Sequence, residues 1–246
     1  MMKKNGLLIL CCILLTSFDL PNEKKFLSRK IEDIEVFDAE NNTFKLSSLL
    51  ENKPLIICPI YTRCPGVCTM LSNGIKNAID GTNMLGKDFN VVSFSFDSSD
   101  RAKNLKFYQS RWKMDGKNWK TISASYENIQ KLLASIDFHY EYNAETREFN
   151  HPSVIVVVSP KGRISRYIYG LNPSGRDIKL AALNAQAEKT SPGLFKGFYL
   201  KCFAYDPISK TYKLDWGFII STFAGVLIIT ILSSIFFKSF ISNKNT

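Results

Sequence analysis

Three short, largely apolar runs, Leu55–Ile60, 91–96 and Val154–Val158, constrain the fold of this chain more than any other feature. Each is too short for a helix and carries no charge, so each reads as a strand buried on both faces. Between them lie segments with helical spacing of apolar residues: 70–79, 101–112 with Leu105 and either Tyr108 or Phe107 turned inward, 126–136, and 173–187 with Pro173 near its first turn. Residues 119–122 read as a further short strand. Ile164–Tyr169 pairs back onto Val154–Val158 across Ser159-Pro160-Lys161-Gly162-Arg163, a hairpin signal. Upstream, 31–37 alternates as an edge strand and 44–50 is a second strand or a turn. Strands alternating with helices predict an α/β fold, with a mixed sheet covered on both faces.

The two ends of the 246-residue chain read differently. Lys3 and Lys4 precede an apolar stretch over 6–15, the pattern of a secretory leader assigned to 1–18, with 19–30 as a polar linker. Cys11 and Cys12 raise a lipidated cysteine, yet Ile9 and Leu10 before them are not the small residues such a site prefers. Residues 216–237 form an uncharged apolar run of the length a helix needs to cross the hydrocarbon layer, with Trp216 at one interface. Lys238 and Lys244 then favour a cytoplasmic tail over 238–246, which leaves the globular domain, 31–190, on the extracytoplasmic side of the cell membrane behind a juxtamembrane segment, 191–215. The formal charge is +10, but lysines and arginines are scattered along the chain rather than gathered into a stripe, which argues against nucleic acid.

Cys64 and Cys68, in Tyr61-Thr62-Arg63-Cys64-Pro65-Gly66-Val67-Cys68-Thr69, carry the chemistry. They stand between a buried strand and a helix. If Cys68 lies in the first helical turn, unpaired amides and the positive dipole end favour its thiolate. Two neighbouring sulfurs can cycle between dithiol and disulfide, hold a soft metal ion, or form an inert structural bridge. His151 stands just before Val154–Val158, in Phe149-Asn150-His151-Pro152-Ser153.

The C-x-x-x-C turn with Pro65 and Val67, the later His151 before an apolar strand, and Pro160-Lys161-Gly162-Arg163-Ile164-Ser165-Arg166-Tyr167-Ile168-Tyr169-Gly170 resemble the Sco/SenC family, in its membrane-anchored bacterial type, over 31–190. The resemblance implies a thioredoxin-like fold, a central mixed β-sheet flanked by helices, to which the C-terminal run adds a transmembrane helix. It implies copper as the bound metal, with Cys64, Cys68 and His151 as ligands. It further implies service in assembling the dinuclear copper centre of cytochrome c oxidase, whose copper-bearing subunit, or another copper protein, is then the partner. Thiolates suit Cu(I) and imidazole accommodates Cu(II), so the donor set fits both states. The alternative is a thiol-disulfide oxidoreductase in which Cys64 and Cys68 are the redox-active pair that reduces the recipient's cysteines. Zinc also suits a Cys2His set with an open position.

Two departures from the family stand out. Thr69 replaces a usual proline after the second cysteine, and Asp97-Ser98-Ser99-Asp100-Arg101 replaces Asp-Pro-x-Asp-Thr, leaving Asp97 as a supporting or docking carboxylate or a solvated loop residue. Pro152 holds the position of a cis proline in thioredoxin-like proteins, so a cis His151–Pro152 bond is expected. Cys58 reads as a buried packing thiol, His139 as an ordinary strand or loop residue, and Cys202 as a juxtamembrane thiol or a partner for Cys58.

Overall fold

In the computed structural model the three apolar runs become adjacent strands at the centre of a seven-stranded sheet. The structure describes residues 20–80 and 83–188, the strands Phe203–Asp206 and Thr211–Leu214, and a few residues between 220 and 228. The order of elements is α1 (Glu23–Phe26), β1 (Glu35–Asp38), β2 (Thr43–Lys45), a 3-10 turn (Leu46–Leu49), β3 (Leu55–Ile60), α2 (Val67–Ile79), β4 (Asn90–Ser95), α3 (Ala102–Arg111), β5 (Trp119–Ser123), α4 (Tyr126–Ser135), β6 (Glu141–Asn143), β7 (Glu148–Asn150), β8 (Val154–Val158), β9 (Ile164–Tyr169), α5 (Gly175–Ala187), β10 (Phe203–Asp206) and β11 (Thr211–Leu214). The main sheet runs β2-β1-β5-β4-β3-β8-β9. Pairs β3–β4 and β4–β5 are parallel, and the other four are antiparallel.

Every residue of β3, β4 and β8 is buried. A strand open to water on one face would show alternation, so the sheet centre is covered on both sides. On one face α3 meets α2 through the buried hydrogen bond between Ser72 Oγ and Tyr108 Oη, 2.7 Å. Tyr108, not Phe107, is the inward residue beside Leu105. Helix α5 packs against α2 where Gly74 and Gly175 let the backbones approach.

Several expectations change in detail. Strand β1 lies between β2 and β5 rather than at the edge. Asp38 Oδ1 accepts the Glu40 and Asn42 amides at 3.0 Å each, and Asn41 takes a positive φ of 64°, so the chain folds back and β2 closes the edge. Within the polar stretch 19–30, α1 turns Phe26 into the core, and Ser28 and Arg29 exchange backbone hydrogen bonds with Ile164. The His151–Pro152 bond is trans. The chain runs on from β7 into β8 there, without the tight reversal a cis bond would serve. Hairpin β6–β7 is a separate two-stranded sheet, to which no element is assigned from the sequence. The leader, Cys11, Cys12 and Cys202 lie outside the described residues, and so does nearly all of 216–237. Among the described residues no helix is long and apolar enough to cross a membrane.

Candidate metal centre

Register brings the two halves of the site together. Strands β3 and β8 pair antiparallel with Leu55 opposite Val158 and Ile57 opposite Val156. Continued past the strand ends, that register sets His151 level with Thr62, beside the cysteine turn. The ligand atoms of Cys64, Cys68 and His151 all lie within 4.8 Å of one another. Cys68 Sγ is 3.5 Å from His151 Nε2. The other ring nitrogen, Nδ1, lies 3.1 Å from the Pro152 carbonyl oxygen. A carbonyl can only accept, so that contact fixes the proton on Nδ1 and leaves the Nε2 lone pair for a metal.

Helix α2 begins at Val67, earlier than its apolar spacing indicates, and its N-cap is Gly66, which has no side chain to cap with. Cys64 fills that role: the Cys68 amide donates to Cys64 Sγ at 3.3 Å. The electrostatics of the pair therefore run opposite to the expectation that Cys68 is the thiolate. Cys64 is held as the anion, lowered to about 3, by the hydrogen bond from the Cys68 thiol and then, against burial, by the amides of Cys68 and Gly66. Burial first, and then the anionic Cys64, push Cys68 well above the ordinary thiol range. Cys64 is 5% exposed and Cys68 fully buried. One sulfur at the rim carries the charge, and the deeper one keeps the proton.

Two sets of neighbours hold this geometry. The first is polar. Asp100, buried, accepts from the Thr62 amide at 3.1 Å, the Thr62 hydroxyl at 2.6 Å and the Ser95 hydroxyl, tying the cysteine turn to the end of β4. Arg63 donates to Asp97 at 2.7 Å. Burial raises the Asp97 carboxyl, but Arg63 and the Ser99 hydroxyl and amide outweigh it and hold the group below its ordinary value. Asp97 thus supports the turn through Arg63. From behind, Tyr108 Oη donates to the Cys68 carbonyl at 3.3 Å.

The second set is aromatic: the His151 ring packs against Tyr61, Phe96 and Phe138 at centroid distances of 5.8, 5.3 and 6.1 Å. The contacts that Asp100, Tyr108 and this aromatic box make with the site are not legible in the sequence, because the residues come from separate elements; only the inward spacing of Tyr108 and the carboxylate in Ser99-Asp100-Arg101 leave a trace in the pattern. His139 stands apart, with its ring 3.2 Å from Asp137 and its side chain 65% exposed. Cys58 is a buried free thiol in β3, and burial raises its pKa.

Comparison with known proteins agrees with this architecture. The family model described as SCO1/SenC matches residues 24–183. A candidate electron transfer protein from Aquifex aeolicus VF5 is 35% identical with a TM-score of 0.63, covering 68% of this chain and 99% of its own. A SCO1/SenC family lipoprotein from Bacillus anthracis is 21% identical with a TM-score of 0.56, over 65% of this chain and 98% of its own. ScoI of Arabidopsis thaliana, solved with copper bound, is 17% identical with a TM-score of 0.54, over 65% and 99%. No curated protein matches the chain.

Proposed function

Because the chain belongs to the SCO1/SenC family, we propose that it binds copper through Cys64, Cys68 and His151 and delivers it to the dinuclear copper centre of cytochrome c oxidase. The observation that carries this reading is the convergence of two sulfurs and one lone-pair-bearing nitrogen within 4.8 Å. Two soft thiolates and one imidazole fit copper in both oxidation states. Three protein donors leave room for a recipient's ligand, which exchange of a cargo ion requires. The Cys68 proton must leave when the metal arrives, so uptake releases protons and tightens as pH rises. The leader over 1–18 and the anchor over 216–237 belong to the same proposal, and they put the globular domain on the outer side of the membrane.

The test is copper titration of the full chain, followed by its visible charge-transfer band. One copper per chain is expected. Cys64→Ser and Cys68→Ser each abolish tight binding, whereas His151→Ala chiefly weakens Cu(II), because both thiolates survive to hold Cu(I). Unchanged affinity in both serine variants overturns the reading.

A second reading is favoured by the asymmetry of the pair. An anionic Cys64 at the rim with a protonated Cys68 behind it is the arrangement of an attacking and a resolving thiol. Cys64 attacks a partner disulfide and releases one partner thiol. Cys68 then loses its proton, attacks the mixed disulfide and releases the second, so two electrons pass to the partner and Cys64–Cys68 becomes the disulfide. Reduction of such a partner by metal-free chain, and its loss in Cys68→Ser, separates electron transfer from copper delivery.

A further inference from the structure

Within the scattered basic residues of the chain, one local group lies on helix α3 and just beyond its end. Helix α3 buries Leu105 and Tyr108 and presents Lys103, Lys106, Phe107, Ser110 and Arg111 to solvent, with Lys113 just beyond its end. Phe107 is 68% exposed at the centre of this face. The face carries no carboxylate. Asp100 is committed to Thr62 and Ser95, and Asp115 to the amides of Lys117, Asn118 and Trp119. Among the described residues none of Lys103, Lys106, Arg111 and Lys113 forms an ion pair, and Arg111 rests over the Trp112 ring. A self-repelling set of cations around an exposed aromatic ring adds nothing to folding.

We propose that this outward face of α3 is a docking surface for an anionic lipid bilayer. The face is a convex ridge about 15 Å long, from its ten residues. That is far too small for a stable protein interface, which takes ~800 Å² from each partner. A fluid surface of anionic headgroups needs no shape match, and cations surrounding an aromatic ring are what such a surface selects. Proximity rests on the membrane anchor proposed above over 216–237, which residues 188–215 join to the end of α5. Each lysine or arginine at an anionic surface adds about fivefold to binding, so four give roughly several hundredfold.

The test is lysine acylation of the full chain, read residue by residue, with vesicles of phosphatidylcholine alone or phosphatidylcholine mixed with phosphatidylglycerol. Any insertion of the anchor is common to both vesicles and cancels. On the anionic vesicles, acylation of Lys103, Lys106 and Lys113 slows about tenfold or more, from the attraction of several cations. Lys131 on α4 does not change, and raised salt removes the effect. The variant Lys103→Glu/Lys106→Glu leaves Lys113 equally reactive on both vesicles while its copper content stays that of the parent. Equal acylation on both lipids, slowing of Lys131 to the same degree, or protection that appears only when an acidic protein replaces the lipid overturns the proposal. None of these outcomes bears on Cys64, Cys68 or His151.

Discussion

At the scale of the residue, the two thiols are chemically unequal, and alkylation reads that inequality directly. Free thiols lose their proton near about pH 8.5. Cys64 lies far below that value because the Cys68 thiol and two amides stabilise its charge, while burial keeps Cys68 protonated. Iodoacetamide at about pH 6 should therefore modify Cys64 in the reduced, metal-free chain and leave Cys68 untouched until denaturant is added. Equal labelling of the two would remove the asymmetry. The sign for stability follows from linkage: Cys64 has a lowered folded pKa, so its contribution is complete above the unfolded thiol value and is lost as pH falls toward its folded value. Cys64→Ser should flatten that part of the pH profile. The sequence already located both sulfurs at a helix N-terminus, but it could not say which one the amides serve. That depends on the helix starting at Val67 with a glycine cap, which turns the Cys68 amide back toward Cys64.

At the scale of the element, the sheet was legible wherever burial on both faces wrote an apolar run into the chain, as in β3, β4 and β8. Hairpin β6–β7 was not, because three-residue strands such as Glu141–Asn143 leave no run and face water over most of their length. Yet it is the hairpin that delivers Phe149 and His151 to the cysteine turn. Helix contacts that depend on missing side chains are equally silent in sequence. A Cβ on Gly74 would collide with the Leu171 carbonyl and come within 2.9 Å of Asn172 Cα, both backbone atoms that cannot swing aside. Overpacking of this kind costs about 1–3 kcal/mol, so Gly74→Ala should lower the urea midpoint without changing the copper ligands. A midpoint equal to the parent's would show that the loop after β9 yields freely.

At the scale of the molecule, two buried carboxylates brace distant parts of the domain. Asp38 joins the β1–β2 turn to Lys120 on β5 at 3.2 Å, and Asp97 anchors the cysteine turn through Arg63. The sequence says nothing particular of Asp38 and leaves Asp97 between a supporting or docking carboxylate and a solvated loop residue, since their partners lie far away in the chain: an aspartate reveals its burial only once the topology is known. Burial raises each carboxyl, but hydrogen bonds from Asn42, Lys120 and Glu40 to Asp38, and from Arg63 and Ser99 to Asp97, leave both below the ordinary value. A lowered folded pKa means stability that is present above the unfolded carboxylate value, about 3.9, and lost as pH falls through the lower folded value. Arg63 is half exposed, so solvent screens part of its attraction for Asp97. The two carboxylates can be weighed by denaturation of Asp38→Asn, Asp97→Asn and the parent across the acid range. At neutral pH both variants should unfold at lower urea than the parent. The gaps should close as pH falls below the unfolded carboxylate value and through the lower folded values, where the parent's own carboxyls are protonated and resemble the amides that replace them. A gap that persisted unchanged into acid would place the damage in packing or hydrogen-bond geometry instead of charge.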